Sequence, residues 1–141
     1  MTQQRRRVVF VSTRPVWPPF PGANLRAHLQ LRALVEDFDV DAIFLLPADE
    51  PAAVVPSDVG VRSCATIAVP RRAAPQALAR WARSRWPWDA TKLAYELVRG
   101  DLVAALAQRE HELVWLIDSS GWPAMPGGRS DGALLVDFDD L

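Results

Sequence analysis

The stretch VVFVSTRPVWPPFPGANLRAHLQLRALV, residues 8–35, decides the fold. It opens on Val8, Val9, Phe10 and Val11, a β-branched and aromatic run that predicts a buried strand over 8–12. Residues 13–22 then hold four Pro and one Gly, which forbids a helix or a central strand there. Behind this stiff loop, Leu25, Leu29, Leu31, Leu34 and Val35 recur near helical spacing. With Asn24 as N-cap, they predict a helix over 25–36.

The same reading extends along the chain. Apolar runs predict strands over 40–46 and 65–69, closed by Pro47 and Pro70, with a Pro- and Ala-rich loop over 48–61 between them. Pro75 suits the first turn of a helix through residue 85, which Trp86, Pro87 and Trp88 break. Asp89 is the expected N-cap of a helix over 90–98. Gly100 and Asp101 read as a C-cap and a fresh N-cap before residues 102–109, which form either a separate helix or a kinked continuation. Strands follow over 113–117 and 133–136, joined by a Pro/Gly-rich connection. Strands that are near-continuous apolar runs, alternating with helices, predict an α/β fold. The expected architecture is a Rossmann-like, doubly wound, mostly parallel sheet. The chain stops just after its last strand, within the acids Asp137, Asp139 and Asp140, and so reads as one C-terminally truncated domain.

Composition narrows the class further. The 141 residues are 50% hydrophobic and 23% charged, which excludes wholesale disorder. No run approaches the ~18 apolar residues of a transmembrane span, and the apolar run behind Arg5, Arg6 and Arg7 is too short for a secretory signal. The single cysteine, Cys64, reads as a small buried residue and gives no reason to expect an oxidising compartment. A cytoplasmic location is expected. The net charge of −1 hides an alternation: 1–35 holds six Arg and no acid, 36–60 seven acids and no base, and 61–88 six Arg and no acid. Such patches allow a local anionic partner.

In open α/β sheets ligands sit at the carboxyl ends of the strands. The loop after the first strand carries neither Gly-x-Gly-x-x-Gly nor Gly-Lys-Ser/Thr, which disfavours a nicotinamide or nucleoside-triphosphate enzyme of the usual kind. It instead delivers Gly22 to a helix N-terminus, where backbone can approach an anion closely.

Residues 8–34 resemble the opening of nucleotide-sugar glycosyltransferases of the GT-B type, particularly the retaining family four. That opening is a strand, a Pro-Pro-aromatic-Pro-Gly-Gly loop, an Arg shortly after, and a Leu/Ala-rich helix. Residues 38–46, 113–120 and 133–141 are similar to later strands of the same domain. Ala23 stands where the family has its second loop Gly. The resemblance implies an N-terminal, acceptor-side domain whose donor-binding C-terminal domain is missing, so that this chain alone lacks turnover. It implies a nucleotide-sugar as substrate, a glycan or lipid-linked acceptor as partner, and neither metal nor other cofactor. The alternative is a non-catalytic Rossmann-like or flavodoxin-like interaction module.

On this resemblance Pro21, Gly22, Ala23 and Arg26 are candidates for substrate binding, with a solvated helix face as the other reading of Arg26. Asp118, Ser119 and Ser120, at a strand end, read either as binding residues or as ordinary turn formers. Asp137 is the candidate catalytic residue, orienting an acceptor hydroxyl or taking its proton; its other reading is a helix cap. His28 reads first as a surface or half-buried helix residue. Finally, Arg80, Trp81, Arg83, Arg85, Trp86 and Trp88 interleave base and indole without an acid. That pattern suits the inner face of an anionic membrane, or else a helix with its Trp packed on the sheet. Nucleic acid is not an expected partner.

Overall fold

A computed structural model of the chain describes residues 5–19, 22–84, 86, 88–127 and 132–137. Five strands, β1 (Arg7–Ser12), β2 (Asp39–Pro47), β3 (Ser63–Val69), β4 (Leu113–Ile117) and β5 (Ala133–Asp137), form one sheet in the order β3-β2-β1-β4-β5. Every pairing is parallel. This is a Rossmann-like α/β sheet, as the apolar runs predict.

Alternating side chains of the central strands feed two cores. On one face Phe10, Ala42, Phe44 and Leu46 pack under α1 (Ala23–Asp37), which contributes Ala27, Leu31 and Leu34. On the other, Val9, Val11, Ile43, Leu45, Val114 and Leu116 meet Leu102 and Leu106 of α4 (Arg99–Ala107), with Leu93, Tyr95 and Met125 beside them. Phe10 and Phe44 are fully buried, each worth about 1.5–3 kcal/mol of transfer free energy.

Several local expectations are corrected. Gly22, not Asn24, is the N-cap of α1, with φ 93°, a region that only Gly enters without strain. Leu25 and Leu29, read as core, are exposed, and Ala27 and His28 are buried in their place. Gly100 and Asp101 lie inside α4 rather than dividing two helices. The helix expected over 90–98 is split into α3 (Trp88–Lys92) and a 3₁₀ turn at Tyr95–Val98. The cause is backbone pairing with a distant segment. The Ala94 amide donates to the Pro70 carbonyl, the Arg72 amide donates to the Lys92 carbonyl, and Arg71 and Leu93 form an antiparallel bridge. Cys64 lies exposed on the edge strand β3. Among the described residues no helix is long and apolar enough to cross a membrane.

A second 3₁₀ turn, Ser119–Ala124, leaves β4 and packs Gly121 tightly beneath the first loop. A Cβ at Gly121 would stand 2.8 Å from the Thr13 methyl and 3.1 Å from a Leu116 methyl. Thr13 cannot rotate away freely, because its hydroxyl donates to Asp118 at 3.2 Å. Gly121→Ala should therefore cost about 1–3 kcal/mol by overpacking. Urea unfolding should show a lowered midpoint with an unchanged m-value; an unchanged midpoint would mean that the contact relaxes without cost.

Candidate functional site

The strand order places β1 between β2 and β4, and the chain leaves β1 toward one side while β4 closes the other. The crevice at this reversal is where open α/β sheets bind ligands. Here it is a cleft of about 400 Å³, walled by Thr13, Arg14 and Pro15 after β1, Pro47 at the end of β2 and Glu50 beyond it, and Asp118 and Ser120 after β4. Asn24 of α1 and the segment carrying Arg71, Asp89, Lys92, Leu93 and Tyr95 complete it.

Asp118 organises the floor. One carboxylate oxygen accepts from the Ser120 amide at 2.8 Å and from the Ser120 hydroxyl at 2.5 Å. The other accepts from the Thr13 hydroxyl at 3.2 Å and from Arg14 Nε at 3.3 Å. Partial burial pushes the Asp118 carboxyl up, but the Ser120 hydroxyl and amide, Arg14 and Thr13 together outweigh burial and hold it below the usual carboxylate range. Asp118 also has φ 80°, ψ 122°, a backbone conformation that a non-Gly residue adopts only at a cost of about 1–3 kcal/mol. The Ser120 bonds close a turn that holds it there. Tyr95, buried against the same floor, has its phenol pushed well above the usual range by burial and by the neighbouring Asp118 charge. It remains a neutral hydroxyl at any physiological pH.

The loop over this floor is fixed by residues of its own and of α1. The Ser12 hydroxyl donates to the Arg14 carbonyl at 2.8 Å and accepts from the Arg14 amide. The buried His28 ring lies 4.1 Å from Trp17, with Nδ1 3.2 Å from the Val16 carbonyl oxygen. His28 is thus a clamp on the Pro-rich loop. The far rim is ionic. Arg71 Nε donates to both oxygens of Asp49, at 2.8 and 3.0 Å, and holds that carboxyl below its ordinary value. Lys92 pairs with Asp89 at 2.7 Å.

The charged groups of the lining are balanced: Arg14, Arg71 and Lys92 against Glu50, Asp89 and Asp118. A cleft built for a polyphosphate would carry an excess of cations. This one alternates donors and acceptors around a roughly neutral space, an arrangement that suits a polyhydroxyl molecule. Among the described residues no group of three or more His, Cys, Asp or Glu is placed to hold a metal ion.

Of the residues singled out from sequence, Asp118 and Ser120 line the cleft. Ser119 opens the 3₁₀ turn between them. Gly22 and Ala23 start α1 immediately before Asn24, which lines the cleft, and Gly22 is not itself in its lining. Pro21 lies outside the described residues. Arg26 and Asp137 come together elsewhere: Arg26 reaches both oxygens of Asp137, at 2.8 and 2.9 Å, and Gln30 Nε2 donates to one of them at 2.7 Å. That cluster ties α1 to the end of β5, outside the cleft lining. Thr13, Arg14, Arg71 and Tyr95 are missed by the motif search, since each takes its place only through contacts far away in sequence. No family model, curated protein or solved structure matches the chain.

The low carboxyl pKa of Asp118 has a definite sign in stability. Its unfolded value is about 3.9, and its folded value is lower. The stability that it contributes is therefore complete above the unfolded value and lost as pH falls through the folded one. Asp118→Asn should lower stability at pH 7 by about 1–2 kcal/mol. The two proteins should converge in urea midpoint as pH falls below the unfolded carboxylate value and through the lower folded one. Curves that stay parallel throughout acidification would show that the carboxylate charge is not what holds the floor together.

Proposed function

We propose that the chain is the acceptor-side domain of a nucleotide-sugar glycosyltransferase, moving a sugar from a nucleoside-diphosphate donor to an acceptor hydroxyl. The observation that carries this reading is the charge-balanced cleft around the ionised Asp118 at the β1/β4 reversal. The resemblance of residues 8–34 to GT-B enzymes supports it independently.

The transition state of such a transfer is oxocarbenium-like, and the departing diphosphate needs cations and backbone donors. Most of that demand falls on a donor-binding domain facing this cleft. The present domain positions the acceptor. Asp118, whose oxygens already accept from Ser120, Thr13 and Arg14, holds the floor in shape, while the remaining guanidinium N–H groups of Arg14 and the neutral Tyr95 phenol supply donors to the acceptor and fix its orientation. A positioned acceptor converts a bimolecular encounter into a local one, which is worth several kcal/mol of barrier. Asp137, held by Arg26 and Gln30, is engaged with donors already. In this reading it keeps β5 and α1 in register beside the cleft, as Asp118 keeps the cleft floor in shape.

Backbone amide NMR titration of the chain tests the assignment. Saccharides should shift the amides of Thr13, Arg14 and Ser120, and Asp118→Asn should weaken that response at least tenfold. UDP- and GDP-sugars should bind at millimolar level or weaker, about −4 kcal/mol or less. Micromolar, sugar-nucleotide-specific binding would put the donor site in this domain and overturn the division of labour. A cleft that answers to neither class of ligand would favour an interaction module.

A further inference from the structure

The helix α2 (Ala74–Arg83) is strongly two-sided, yet it buries only Ala77. On a helical projection Ala74, Ala77, Leu78, Trp81 and Ala82 share one side, with Gln76, Arg80 and Arg83 on the other. Leu78 is 55% exposed and Trp81 48%. Trp88, at the start of α3, is 41% exposed and meets Trp81 edge to face, with ring centroids 6.2 Å apart. Three large apolar side chains thus project together.

The other side of α2 lines an open groove of about 500 Å³ with Arg72, Arg80, Arg83, Gln76 and Trp86, and no carboxylate enters its lining. Arg72 is neutralised by Glu96. Among the described residues Arg80 and Arg83 have no ion-pair partner. Arg85, which extends the same run in sequence, lies outside the described residues.

We infer that α2 and Trp88 form a docking surface for an anionic lipid bilayer. Leu78, Trp81 and Trp88 enter the headgroup–acyl boundary, and Arg80 and Arg83 meet lipid phosphates. An amphipathic helix that lies in the interface plane needs these two elements together: an apolar edge with indoles at headgroup depth, and a basic flank. The charge complement decides against a neutral or cationic partner, because Arg80 and Arg83 flank a groove whose lining holds no carboxylate. The ring geometry decides against single-stranded nucleic acid. The two indoles stand 88° to each other, so they offer no parallel faces for successive bases. This inference stands apart from the proposed reaction and holds whichever ligand fills the cleft.

Co-sedimentation of the full chain with vesicles tests it, using phosphatidylcholine alone and a 7:3 mixture with phosphatidylserine. The chain should partition onto the anionic vesicles and not the neutral ones, with loss at 0.5 M salt. Each Arg→Gln change should weaken binding about fivefold, which corresponds to the ~1 kcal/mol of a basic residue near such a surface. Arg80→Gln and Arg83→Gln together should thus weaken it about 25-fold. The pair Arg80→Lys and Arg83→Lys keeps the charge and should keep binding, so it separates lost charge from lost folding. Brominated lipid should quench the tryptophan fluorescence, and Trp81→Ala should reduce both quenching and partition. Binding to neither vesicle, equal binding to both, or unchanged binding by the double Gln variant overturns the proposal. So does self-association that disappears in Trp81→Ala without any lipid binding.

Discussion

One carboxylate joins the two halves of this sheet at the end that matters. Asp118 directly follows β4, yet two of its four bonds go to Thr13 and Arg14, just past the end of β1. The strands pair through their backbones along their length, but the loops beyond them would diverge without a tie. The two remaining bonds, both to Ser120, hold the strained backbone from which the tie is made. The floor of the cleft, the position of the 3₁₀ turn after β4 and the burial of Tyr95 all follow from that arrangement.

Charge separates the surface into regions with different tasks. The cleft alternates cations and anions, so its field nearly cancels and directional hydrogen bonding dominates. The α2 groove holds Arg80 and Arg83 with no carboxylate in its lining, so its field is not cancelled. The sheet edge at β5 is held by yet another device, in which Arg26 and Gln30 converge on Asp137 from one face of α1. A similar set of residue types thus gives a nearly cancelled field at the cleft, an uncancelled one at α2 and a packing tie at β5, according to how many opposite charges stand nearby.

The sheet was legible from sequence because its signals are local. Val8, Val9, Phe10 and Val11, or Ile43, Phe44, Leu45 and Leu46, form buried runs that no surface segment would carry. What stayed hidden was set by contacts across long separations. Nothing near residue 93 announces the pairing with Pro70 and Arg72 that ends α3. Leu25 and Leu29 have core composition, but the face that α1 turns inward is fixed by Trp17 and the sheet. The candidate site was half legible: Asp118 and Ser120 follow a strand, and that position alone marks them. Thr13 and Arg14 join them only because 105 positions of chain fold back between β1 and β4, and Tyr95 reaches the same floor from the turn that follows α3.

The same separation governs when the cleft can exist. Val8 pairs with Val40 across 32 positions but with Leu113 across 105. Closing the longer loop costs about 1 kcal/mol more chain entropy, and nothing is gained until β4 arrives. The β1–α1–β2 unit is the cheaper one to assemble, and it contains Thr13 and Arg14 but no partner for them. A chain that has formed only that unit has a sheet fragment, a helix and a buried Phe10, and still has no site. Binding competence is therefore a property of the last long-range closure, and a ligand in the cleft would bind only the molecules in which that closure has been made.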